Sequence, residues 1–138
     1  MSGHRLYTPE VLSAAVSLAG YPLTADLPLR GSARSASCGS RIELGLALGA
    51  DGRIENVGMA SHACAIGQAS AAVFAAAAKG MTGSQIINAR DAMSLWLAGN
   101  GSMPQWPGLE LVALAVDYPG RHGAMMLAWN AACEALAA

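Results

Sequence analysis

The sequence predicts an α+β domain with an N-terminal helix, a three-stranded antiparallel sheet, and then about four helices packed on one face. Three observations carry that expectation. Apolar residues recur at helical spacing near the start of the chain. Two-residue alternation then runs through residues 41 to 59 on either side of an Asp-Gly turn, and helical spacing returns after Cys64. Strands in one run and helices in another indicate helices segregated to one side of an antiparallel sheet. At 138 residues the chain fits one domain spanning 1–138, long enough to bury a core without disulfide staples.

The first helix opens at Thr8-Pro9-Glu10, where Thr8 is a cap and Pro9 suits the first helical position. Val11, Leu12, Ala15, Val16 and Leu18 form its predicted apolar stripe, and Gly20 ends it. Residues from Leu29 to Ser37 alternate weakly, as an edge strand. In Arg41 to Leu48, Ile42, Leu44, Leu46 and Leu48 fall on one face while Glu43, Gly45 and Ala47 fall on the other. Asp51-Gly52 supplies the positive φ a hairpin turn needs, and Ile54, Val57 and Met59 continue into a third strand. One face of this meander is expected against a core.

Ala65 to Lys79 reads as a small-residue helix closed by Gly80. Thr82 or Ser84 caps a second helix reaching Leu97, with Ile86, Ile87, Ala89, Met93 and Trp96 in its predicted stripe. A Gly/Pro-rich loop from Gly99 to Pro107 carries Trp106. A short helix near Leu109–Val116 and a last one from about Arg121 to Ala138 complete the order.

Composition narrows the function. Hydrophobic residues make up 54% and aromatics only 5%, so the helices pack through small side chains. Charged residues are 12%, about half the usual share. A net charge of −1 leaves little self-repulsion to oppose a partner or a weak homo-oligomer, with a well-paired monomer as the other reading. Lys79 is the only lysine and the seven arginines are scattered along the chain, so no stripe for neutralising nucleic-acid phosphates is expected. Ala63 to Ala78 is too short for a membrane span and is interrupted by Gln68. The start, Met1-Ser2-Gly3-His4-Arg5, leads into no signal-type apolar core, which predicts a cytoplasmic protein with three reduced cysteines.

Cys38 ends the first strand region and Cys64 stands where the third strand yields to a helix, so a meander can bring both to one end of the sheet. A thiol at a helix N-terminus faces unpaired N–H groups that favour the thiolate. His62 precedes Cys64 by two residues, and His122, at the start of the last helix, is a third candidate for a cluster. The plainer reading is that a free Cys is a small buried hydrophobe, and no Cys-x-x-Cys pair is present. Cys133, in Ala131-Ala132-Cys133-Glu134-Ala135-Leu136, reads as helix packing.

Five stretches, taken together and in order, resemble one family. They are Tyr7-Thr8-Pro9-Glu10-Val11-Leu12, Ser37-Cys38-Gly39-Ser40-Arg41-Ile42, Asp51-Gly52-Arg53-Ile54-Glu55-Asn56-Val57, Ala63-Cys64-Ala65-Ile66-Gly67-Gln68-Ala69-Ser70-Ala71, and Tyr118-Pro119-Gly120-Arg121 through Leu127-Ala128-Trp129. The resemblance is to the U-type iron–sulfur cluster assembly scaffolds: the NifU N-terminal domain, IscU and especially SufU. It implies an IscU-like fold. It also implies a non-enzymatic role, in which the protein takes sulfur from a cysteine desulfurase, binds iron, and holds a nascent [2Fe–2S] cluster or a zinc ion for iron–sulfur client proteins.

The family site uses three Cys and one Asp, and Cys38 and Cys64 match two of them. Ser40 stands at the aspartate position and Ala124 at the third cysteine, while Ser61 and Ala63 replace two family glycines. Three outcomes are open. His62 and His122 rebuild a two-Cys, two-His metal site; a second chain supplies the missing ligands; or the site is empty and the degenerate homologue serves as a protein-interaction or regulatory module, with the Trp106 loop as a docking surface. A thiol enzyme with Cys64 as nucleophile and His62 or His122 as base is a further reading.

Overall fold

The structure, a computed structural model, describes residues 6–36 and 39–137. Helix α1 spans Pro9–Ser17; Thr8 caps it, its hydroxyl accepting from the Val11 N–H at 3.1 Å. A 3₁₀ turn, Leu18–Gly20, extends it. Strands β1 (Leu29–Arg34), β2 (Arg41–Leu48) and β3 (Ile54–His62) form an antiparallel sheet in that order. Helices α2 (Ala65–Ala78) and α3 (Gly83–Leu97) follow, then 3₁₀ stretches at Leu109–Asp117 and Pro119–Arg121, and finally α4 (His122–Ala137).

Helix α2 is buried on nearly every side, as a helix without a polar face must be. Around it, Phe74 stacks on Trp106 with ring centroids 5.4 Å apart, and both rings meet the edge of Trp129 at 5.3 and 5.2 Å. The Trp106 side chain therefore offers no docking surface. It is 5% exposed, and its indole N–H donates to the Val73 carbonyl at 3.0 Å. An aromatic tip in a Gly/Pro-rich loop has the same composition whether it folds inward or outward; here the Phe74 face gives it a stacking partner.

The inner face of the sheet presents Ile42, Leu44 and Leu46 from β2 and Met59 from β3, all buried. Helix α4 lies directly on β1. A Cβ at Gly31 would overlap the Ala131 carbonyl oxygen and stand 2.6 Å from the Ala135 nitrogen, so the backbones touch because Gly31 has no side chain. The outer face is not bare, as a one-sided meander would leave it. Residues 21 to 27 cross it: the Met59 N–H donates to the Tyr21 carbonyl at 2.8 Å, and Leu27 is buried over the opposed pair Gly45 and Gly58. Arg30 holds this strap by donating to the Leu27 and Thr24 carbonyls, each at 2.7 Å. On the far edge the Ser32 N–H donates to the Glu134 carboxylate of α4 at 3.1 Å.

Several expectations needed adjustment. Leu12 and Val16 of α1 are 47% and 76% exposed, because the helix buries Val11, Ala15 and the following Leu18 against the core instead. Leu48 leaves the inner face at the register shift between Ala47 and Leu48. In α3, which Thr82 caps through a capping box with Gln85, Ile86 and Met93 are buried and Ile87 is exposed. The segment predicted as a short helix is wound as 3₁₀ over Leu109–Asp117, and its buried residues Leu109, Val112 and Ala115 repeat every three positions, as that tighter winding requires.

Candidate functional site at the tip of the sheet

β3 ends at His62, and Cys64 is the N-cap of α2, in extended backbone, with no side-chain capping bond. The cap position places its thiol at the junction of sheet and helix, beside the turn that joins β1 to β2. That turn is closed by two backbone bonds, from the Ser35 N–H to the Ser40 carbonyl at 2.7 Å and from the Gly39 N–H to the Ser35 carbonyl at 3.0 Å. Gly39 adopts φ 70°, a conformation that suits glycine. Cys38, one of the two predicted thiol ligands, lies outside the described residues.

Ser40 is 4% exposed, and its hydroxyl accepts from the Cys64 N–H at 3.4 Å, tying the β1–β2 turn to the head of α2. A pocket of about 390 Å³ opens here, lined by Gly39, Ser40, Ser61, His62, Cys64 and Gln68. Gln68 lies one helical turn beyond Cys64 and donates through Nε2 to the Ala63 carbonyl at 2.9 Å, which fixes the approach to the helix. In the sequence Gln68 was only an interruption in an apolar run. Its spacing of four from Cys64 on a helix is the signal that places it beside the thiol.

Ala124 is fully buried in the first turn of α4 and faces the first turn of α2. A Cβ at Gly67 would lie 3.4 Å from the Ala124 Cβ and 3.0 Å from that of Ala63. Ala63, Gly67 and Ala124 thus pack together as three small residues at the first turn of α2. The positions singled out at 40, 64 and 124 lie around the head of α2, one as a hydroxyl, one as a thiol and one as a methyl.

The two histidines differ. His62 is exposed and shares the pocket with Cys64. His122 is half-buried and outside that lining; its Nε2–H donates to the Val116 carbonyl at 2.7 Å, so that nitrogen has no lone pair free for a metal. Among the described residues no three His, Cys, Asp or Glu side chains gather within reach of one ion. Cys133 lies apart, half-buried on α4. Burial pushes its thiol pKa up, the nearby Arg90 guanidinium opposes that, and Asp91 adds to it, so the group stays protonated at neutral pH.

Among the described residues no helix is long and apolar enough to cross a membrane. Neither family models nor curated proteins give a match to this chain. Solved structures do. A nitrogen-fixing NifU-like protein (N-terminal) from Brucella abortus superposes with a TM-score of 0.89 at 27% identity, covering 99% of this chain and 96% of that one. An iron–sulfur cluster assembly scaffold protein for the SUF system from Fervidobacterium islandicum AW-1 superposes at 0.80 and 19% identity, covering 94% and 95%. The second likeness speaks for the fold alone; the first adds sequence agreement over the same length. Fold and sequence both align the chain with the U-type scaffolds, and its α+β order is theirs.

Proposed function

We propose, from the likeness to U-type iron–sulfur cluster assembly scaffolds, that this chain is a cluster assembly scaffold or carrier. It takes iron and sulfur, or a zinc ion, as cargo at the sheet tip through Cys38 and Cys64. The observation that supports the reading is that the Ser40 hydroxyl accepts from the Cys64 N–H at the N-cap of α2, while Ala124 packs against Gly67 in the first turn of the same helix. Cys38 adjoins Gly39, which lines the same pocket as Cys64.

The donor set governs how such cargo is held. A [2Fe–2S] cluster or structural zinc is normally held by four ligands, mostly thiolate or imidazole. Here the thiols number two, with His62 exposed at the rim, a neutral hydroxyl at Ser40 and a methyl at Ala124. Such a site holds cargo loosely and releases it readily, which suits passage from a cysteine desulfurase to a client protein rather than storage. The proposed role is to hold and pass cargo rather than to catalyse a reaction. A cytosolic setting, where thiols are kept reduced, suits a site built on two thiolates.

Anaerobic reconstitution with iron and sulfide, read by absorption, tests the proposal. Wild type should develop charge-transfer bands that a Cys38→Ser/Cys64→Ser variant lacks; equally colourless proteins would refute cluster holding. The buried methyl of Ala124 favours a second reading, in which the fold is kept for protein interaction alone. Binding to a cysteine desulfurase with and without metal separates the two. Metal-independent binding by a protein that never colours supports the second.

A further inference from the structure

Strand register brings together three basic side chains that are far apart in the sequence. Arg34 of β1 is paired with Arg41 of β2, and Arg41 with His62 of β3, so the three stand in one row across the sheet. All three are exposed, on the half of the outer face that residues 21 to 27 leave open. Like charges directly opposed across strands are destabilising. Elsewhere, Arg53 pairs with Asp51, Arg90 with Asp91, and Arg30 is spent on the strap. Arg34 and Arg41 make no ion pair among the described residues, although Glu43 lies on the same face one row away.

The row borders a groove of about 610 Å³ that also includes Ser32, Glu43 and Ala60, and this groove shares Ser61 and His62 with the Cys64 pocket. In a chain with so few charges, two opposed arginines without an ion pair among the described residues, beside the thiol pocket, are a charge pattern awaiting its complement. Two guanidinium groups side by side suit carboxylates, which they bind in a forked, two-bond geometry. Glu43 argues against a long polyanion such as nucleic acid, because it sets a repulsive carboxylate one row behind the cations. A short acidic stretch ending at the row avoids it.

We propose that the Arg34–Arg41–His62 row docks an acidic segment of the protein that exchanges sulfur or cluster at Cys64. The docked segment lies against Ser61 and His62 and so stands over the thiol pocket. The proposal rests on the scaffold reading for the identity of the cargo, but not for the binding itself.

The test uses the full-length, metal-free chain and a fluorescent oligoglutamate peptide. Anisotropy measures binding at low and physiological salt, and mass spectrometry measures the alkylation rate of Cys64. The peptide should bind, weaken with salt, and slow Cys64 alkylation. Arg34→Glu/Arg41→Glu should lose about tenfold or more in affinity, and Glu43→Gln should gain about twofold to threefold. Both changes lie on exposed positions, and circular dichroism checks the fold. Equal binding by wild type and the double variant overturns the proposal, as does tighter binding of an oligodeoxynucleotide of equal charge. So does binding that leaves Cys64 alkylation unchanged. Because no metal is present, failure of cluster reconstitution leaves these outcomes untouched, and failure here leaves the cargo reading standing.

Discussion

Replacing Gly31 with Ala tests the packing that seats α4 on the sheet. The added methyl would overlap the Ala131 carbonyl oxygen and come 2.6 Å from the Ala135 nitrogen, both backbone atoms. No rotamer change relieves such a clash, so the helix must move as a body. Overpacking of this kind costs about 1–3 kcal/mol, and rigid neighbours place it at the upper end, near ~3 kcal/mol. Loss of glycine's freedom in the unfolded chain returns about 0.5–1 kcal/mol. The expected net loss is ~2 kcal/mol, a fall in Tm of about 8 °C for a domain of this size. Urea and thermal unfolding measure it, with an unchanged m-value expected because the exposed surface is the same. Gly20→Ala is the control, since a Cβ there meets nothing within 4 Å and should be neutral or slightly stabilising. A Gly31→Ala protein that melts within about 2 °C of wild type would show that α4 yields easily. The close backbone contact would then not fix its position.

Phe74→Ala removes the ring shared by Trp106 and Trp129 and should cost about 3–5 kcal/mol in urea unfolding; a loss under ~1.5 kcal/mol would mean that the aromatic cluster does not hold the core. Burial raises the Cys133 pKa, so the folded state retains its proton longer than the unfolded chain does. The associated stability is fully present below the unfolded thiol value of about 8.5 and is lost as pH rises toward the folded value. Stability curves for wild type and Cys133→Ala should therefore diverge in slope only above that pH, and parallel curves would contradict the burial argument. Ala124→Cys adds a thiol against the first turn of α2; if the site takes metal, elemental analysis should find more zinc retained than in wild type, and an unchanged content would count against a metal site at the tip.

The features legible in the sequence were those written in short, local patterns. The β2 alternation, the Asp51-Gly52 turn and the Thr82 cap each depend on residues within a few positions, and each forms where its pattern lies. Features set by distant partners were not legible. The strap over Gly45 and Gly58 depends on two glycines from different strands meeting in register, which neither strand reveals alone. The basic row has the same origin: Arg34, Arg41 and His62 look scattered along the chain until pairing aligns them. Trp106 went astray for a related reason, since loop composition does not say which way an aromatic side chain turns. At the candidate site, Ser40 and Ala124 could be marked by resemblance. Gln68 could have been found from its spacing of four from Cys64, whereas the packing of Ala63 and Gly67 against Ala124 needed the helix–helix contact to acquire meaning.

The bond from Ser32 to Glu134 at one margin of the sheet and that from Met59 to Tyr21 at the other have a consequence for association. Each occupies a backbone donor that a foreign strand would otherwise use to extend the ladder. Growth by β-augmentation would first have to strip both away, which discourages fibril-like stacking of identical copies. Encounters with other molecules are thereby left to side-chain chemistry, which is easier to make selective and easier to reverse.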